Sequence, residues 1–157
     1  MGPEKPLERE SPTKPRIFID ADVLFAGAAS PNEHSASNLL LRMAELTLIE
    51  ALTSTQVITE VERNLHDKIP KALPAFQLLV SRSLRIVADP DPAELKGYVG
   101  LANSEDLPIL VAAVREESSH LATFNLRHYQ PGYPSVAVLK PGNMVLQIRY
   151  LLAQLSG

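Results

Sequence analysis

Two carboxylates close an apolar run near the start of the chain: Arg16-Ile-Phe-Ile-Asp20-Ala-Asp22 sets Ile17 to Ile19 ahead of Asp20 and Asp22, with only Ala21 between the acids. In an open α/β sheet, ligands lie outside the carboxyl ends of the strands, so Asp20 stands where chemistry is usually done. Two acids this close repel, which raises one pKa or calls for a cation between them. The competing reading is structural, since either acid could cap the helix that follows. Three further polar positions recur at predicted strand ends or in helices: Glu60, Asp106 and Asn125. Singly, each has a plain explanation. Asp106 suits a helix start, where the dipole favours an acid, and Glu60 flanks an apolar stripe, as does Glu62. Their convergence carries more weight than any one of them. In a parallel sheet these ends share one edge, and an all-oxygen cluster suits Mg²⁺ or Mn²⁺. Such an ion orients a phosphate, activates water and neutralises charge in an in-line displacement. His34 and His66 lack the paired spacing of a zinc site.

The elements that must position these groups alternate short apolar runs with helical periods, the pattern of a mostly parallel sheet flanked by helices. Strands are expected at residues 16 to 20, Leu48 to Leu52, Leu84 to Val87, His120 to Thr123 and Val136 to Lys140. Helical spacing runs from Ser35 to Leu46 and again through Val57, Ile58, Val61 and Leu65, where Thr53 and Gln56 have the separation of a capping box. Pro70 ends that helix, and another is expected around Lys71 to Ser81. Asp91 or Pro92 opens a short helix to about Val99, and Pro108 belongs in the first turn of the next, with Glu105 and Asp106 at its cap. The last helix follows Pro141-Gly142, and its apolar residues Met144, Val145, Leu146, Ile148, Leu151, Leu152 and Leu155 cover more than one face. One face serves the core; the remainder suits an isologous homodimer seam.

Composition narrows the function classes. A chain of 157 residues, 45% hydrophobic and 21% charged, suits one domain, and its apolar runs are strand-sized, which argues against a membrane partner. Net charge is -3, so nucleic acid must be met by a local basic patch; Arg82, Arg85 and Arg127 are candidates for one track across a dimer. The absence of cysteine excludes disulfides, zinc thiolates and thiol nucleophiles, and makes the cytoplasm the expected location. Residues 1 to 15, with Pro3, Pro6, Pro12 and Pro15 among charged residues, are expected to be a disordered leader before one domain at 16 to 157.

Four segments in order resemble the PIN domain nucleases, over nearly everything from Arg16 to Leu155. Ile-Phe-Ile-Asp20-Ala-Asp22 is similar to their opening strand and acidic pair. Ser54-Thr-Gln-Val-Ile-Thr-Glu60 is similar to their Ser-x-x-x-x-x-Glu segment, and the resemblance thereby selects Glu60 over Glu62. Asn103-Ser-Glu-Asp106-Leu-Pro resembles the third acidic motif, and Thr123-Phe-Asn125 the closing one, although Asn125 stands where many members carry Asp. The resemblance implies a PIN-like α/β fold with a sheet of about five strands and an RNA-cleaving activity that uses Mg²⁺ or Mn²⁺. Asp20, Asp22, Glu60 and Asp106 would hold the metal, Asn125 would orient water, and Thr123, Arg127 and His128 would meet substrate. It also implies a toxin role with an antitoxin partner, or else RNA processing. Because an amide brings no charge, a module that binds RNA or protein without cutting is the alternative. A weaker resemblance, to the haloacid dehalogenase phosphatases, would make Asp20 a nucleophile, Asp22 the acid and Ser54 the accessory hydroxyl.

Overall fold

The computed structural model describes residues 14–30, 32 and 34–156. Apart from Lys14 and Pro15, the expected leader lies outside the described residues. The chain is organised on β1 (Arg16–Ile19), whose Ile17, Phe18 and Ile19 are completely buried. Burying each such side chain contributes roughly 1.5–3 kcal/mol, so this short run anchors the core. Around it lie β2 (Glu50–Ser54), β3 (Leu84–Val87), β4 (His120–Ala122) and β5 (Ala137–Leu139), in spatial order β3-β2-β1-β4-β5. Every pairing is parallel. All carboxyl ends therefore point to one edge of the sheet.

Seven α-helices flank the sheet among the described residues: α1 (Ala21–Ala29), α2 (Ala36–Glu45), α3 (Thr55–Lys68), α4 (Leu73–Ser83), α5 (Pro92–Leu95), α6 (Leu107–Arg115) and α7 (Pro141–Ser156). Short 3-10 turns cover Pro70–Ala72, Lys96–Tyr98 and Leu126–Tyr129. Helix α1 packs on α2 and α3, and α2 packs on α7. Gly27 permits the first of these approaches, because a Cβ there would lie 2.9 Å from Leu41 Cδ1. None of the helices is long and apolar enough, among the described residues, to cross a membrane.

Two local expectations shift, each for a visible reason. The second strand begins at Glu50 and not at Leu48, because the end of α2 takes up the residues between. Leu48 N–H donates to Met43 O and Thr47 N–H to Ala44 O, with Thr47 at φ 62, the left-handed closing turn that satisfies a helix's last carbonyls. The expected capping box at Thr53 and Gln56 does not form. Thr53 is still inside the ladder, where its hydroxyl donates to Ile19 O at 2.8 Å, and the helix begins at Thr55 after Ser54. Gln56 N–H is instead capped from a distance by Asp89, at 2.8 Å. A complete capping box forms at Asp91 and Glu94, opening α5.

Candidate active site at the carboxyl edge of the sheet

Strand register places the first two site residues. Ile19 pairs with Ala122, and the ladder runs one step further through the bond from Asp20 N–H to Ala122 O at 3.0 Å, so Asp20 and Thr123 leave the sheet side by side. Both are buried. The Thr123 hydroxyl donates to Asp20 Oδ2 at 2.8 Å and accepts from Asn125 N–H at 3.1 Å. Asp22 Oδ2 is farther from that hydroxyl, at 3.3 Å, and a hydroxyl has one proton to give.

Asp20 turns out to be both a cap and a member of the cluster. Its Oδ1 accepts the N–H of Ala21 at 2.7 Å, opening α1, while Oδ2 faces Thr123 and the Tyr129 hydroxyl, the latter also at 2.8 Å. Tyr129 is only 2% exposed, and burial pushes its hydroxyl pKa further up, followed by the Asp20 and Asp106 charges, so it stays a proton donor. Reading the sequence missed this residue. No periodicity marks it, because its burial arises from the Leu126–Tyr129 turn folding back over the sheet edge.

Asp22 lies in the first turn of α1 and faces the loop after β4. Its Oδ2 accepts from Phe124 N–H at 3.0 Å and from the Asn125 side-chain amide at 3.0 Å. Its Oδ1 is buried without a partner. Burial first, then the Asp20 charge, push its carboxyl up to about 6, against the donors that hold it down. Asn125 therefore supplies something an Asp could not: a donor to its acidic neighbour.

Glu60 and Asp106 come from α3 and from the loop before α6. Both are half-buried, and burial, followed by the Asp20 charge, raises both pKa values; for Glu60 the charge of Asp106 adds to the rise. Asp106 is moderated by His128, whose Nδ1 lies 3.1 Å from Asp106 Oδ2. The loop itself is tied down, with Asn103 N–H donating to His128 O and Asn103 O accepting from Asp106 and Leu107 N–H. His128, expected to meet substrate, is thus engaged with Asp106 in the structure. Arg127 is exposed nearby. Arg85 is not available for a basic track, because Glu50 and Glu116 already bind it, at 3.1 and 3.4 Å.

The donor chemistry is all oxygen, a type that suits hard cations: carboxylates whose charges oppose one another, one of them with a buried oxygen that has no hydrogen-bond partner. As they stand, no three acidic or histidine side chains among the described residues converge tightly enough to grip an ion directly.

A five-stranded parallel sheet flanked by helices, with carboxylates toward its carboxyl edge, defines an α/β domain, and the sequence resolves which family it belongs to. A family model described as PIN domain matches residues 16–127, and the chain belongs to that family, whose members are nucleases that generally use divalent metals. No curated protein matches the chain in sequence. Among solved structures, it is similar to VapBC2 from Rickettsia felis bound to a DNA fragment from their promoter, with TM-score 0.58 and 17% identity, covering 78% of this chain and 96% of that one. It is also similar to FitAcB from Neisseria gonorrhoeae, with TM-score 0.56 and 17% identity, covering 80% and 98% respectively. These likenesses are of fold. Family membership removes the phosphatase alternative, and Ser54, its accessory hydroxyl, is buried with no hydrogen-bond partner.

Proposed function

We propose that the chain is a metal-dependent endoribonuclease that cleaves RNA phosphodiesters as the toxin of a toxin-antitoxin pair. One observation carries this reading: four carboxylates are held at one sheet edge against their mutual repulsion, with Asp22 Oδ1 left bare. A fold keeps such a cluster, at a cost in stability, where a bound cation uses it.

Asp20, Asp22, Glu60 and Asp106 are the residues that would hold Mg²⁺ or Mn²⁺, in part through water, as suits an ion that dehydrates reluctantly. Bound there, the ion supplies charge neutralisation at a phosphodiester and a more acidic water. The chain's own residues then have separable tasks. Ala21 N–H, Thr123 and Tyr129 fix both oxygens of Asp20. Asn125 and Phe124 N–H orient Asp22, and His128 holds Asp106. Arg127 is placed to meet phosphate.

The toxin assignment is supported by VapBC2 and FitAcB, both toxin-antitoxin proteins, and it brings an antitoxin as partner and a cytoplasmic location. A homodimer is supported by the outer side of α7, where Leu146, Tyr150 and Leu155 are exposed while Met144 and Ile148 are buried. A second reading, a binding module without activity, is favoured by one feature: Asn125 donates to Asp22 where an Asp would add charge to the cluster.

The test is calorimetric titration with Mn²⁺ and Mg²⁺, run beside cleavage of a fluorogenic oligoribonucleotide. The native protein should bind the ion and cut, and Asp20→Asn should do neither, because it deletes a charged hard ligand while keeping the shape. Binding without cutting would favour the module. No ion binding at all would end the nuclease reading.

A further inference from the structure

Beside the carboxylates lies a groove of about 630 Å³ lined by Phe124, Asn125, Leu126, Arg127, His128, Gln130 and Lys140, within the ~300–1,000 Å³ usual for ligand sites. Its chemistry differs from the rest of the surface. The chain has net charge -3, yet no acid lines this groove. Arg16, Arg85 and Arg115 are neutralised by Glu50, Glu94 and Glu116 elsewhere, whereas Arg127 and Lys140 have no ion-pair partner among the described residues. Phe124, following directly on the buried strand end, is 44% exposed.

The groove adjoins the cluster through two of its lining residues. Phe124 N–H and the Asn125 amide both donate to Asp22, so a group seated against Phe124 lies next to a phosphate at the carboxylates. We infer that this groove is a nucleotide subsite: an unpaired base stacks on Phe124, and Arg127 and Lys140 take the phosphates flanking it. The assignment rests on the nuclease reading and gives Phe124, Arg127 and Lys140 separate roles in holding its substrate. An aromatic face with flanking cations is the combination that binds single strands, because every base has a π-face while a base inside a duplex presents only its edges. Asn125 and Gln130 add amide groups that can meet those edges.

The test measures binding without catalysis, so that the two readings can fail separately. Fluorescence anisotropy is followed with labelled oligouridylate of about eight nucleotides, a length suited to one short groove, in EDTA. Phe124→Ala should weaken binding roughly 5- to 150-fold, the range seen when a stacking aromatic is lost, and Phe124→Trp should restore it. Arg127→Ala and Lys140→Ala should each lower the slope of log affinity against log salt by about 0.7. The same sequence as a duplex should bind weakly and be indifferent to Phe124→Ala. The inference is overturned if the native protein does not bind the oligonucleotide, or if Phe124→Ala binds within about twofold of it. It is equally overturned if polyglutamate competes with a dependence on Phe124 as strong as the oligonucleotide's. Binding that requires Phe124, with no cleavage when Mn²⁺ is restored, would keep the subsite and reject the nuclease.

Discussion

Replacing Asp22 by Asn should stabilise the protein when no divalent ion is present. The carboxyl of Asp22 rises from its ordinary 3.8 to about 6, chiefly through burial and then through Asp20. At about 1.36 kcal/mol per pH unit that gap corresponds to roughly 3 kcal/mol, and partial solvent access reduces it to roughly 1–3 kcal/mol. The sign follows from the direction of the shift. A carboxyl with the higher pKa in the folded state opposes folding when ionised, so the penalty is fully present above about pH 6 and is lost as pH falls toward 3.8. The amide keeps an oxygen for the N–H of Phe124 and the side chain of Asn125, which both bond Oδ2. Only the bare Oδ1 position changes to a donor. In EDTA at pH 8, Asp22→Asn should therefore melt roughly 2–12 °C above the native protein by differential scanning calorimetry. The gap should close by about pH 4. Adding Mn²⁺ should raise the native melting temperature more than that of the variant. A variant no more stable at pH 8, or an advantage undiminished at pH 4, would refute the account of Asp22 as a charge held against repulsion.

Tyr129→Phe removes one donor from a buried carboxylate and should cost about 1.5–3 kcal/mol in urea unfolding, with Mn²⁺ affinity falling as Asp20 loses a restraint; an unchanged midpoint would show the hydroxyl to be idle. Asn125→Asp should have opposite effects in the two states, lowering the melting temperature in EDTA by setting a like charge against Asp22 and tightening Mn²⁺ binding in calorimetry; no change in either would leave Asn125 outside the site. Sedimentation at micromolar concentration should show a dimer that Leu151→Asp dissociates, since Leu151 is exposed on α7 beside Leu155; a native monomer would remove the seam.

The sequence by itself determined the sheet and marked which acids are candidates for a site. An apolar run ending on Asp20, alternating with helical periods, is enough to require parallel strands, and strands that are all parallel must end at a common edge. Asp20 is legible from that edge, whereas Glu60 and Asp106 join it from a helix and a helix-opening loop, with Glu60 distinguished from Glu62 only by its resemblance to a family segment. What the tertiary structure decided is how each acid is held. Whether Asp20 caps a helix or joins a cluster was an open choice in the sequence; its two oxygens do one task each. Tyr129 against Asp20, Asn125 as a donor to Asp22, and His128 against Asp106 join residues up to 109 positions apart, through turns whose geometry no local pattern encodes. The same holds for the caps. Thr53 has the right spacing for a capping box but is claimed by the ladder, and the donor at Gln56 is met by Asp89. Local signals fix which backbone groups need partners, and packing over long sequence separations selects which side chain reaches them first.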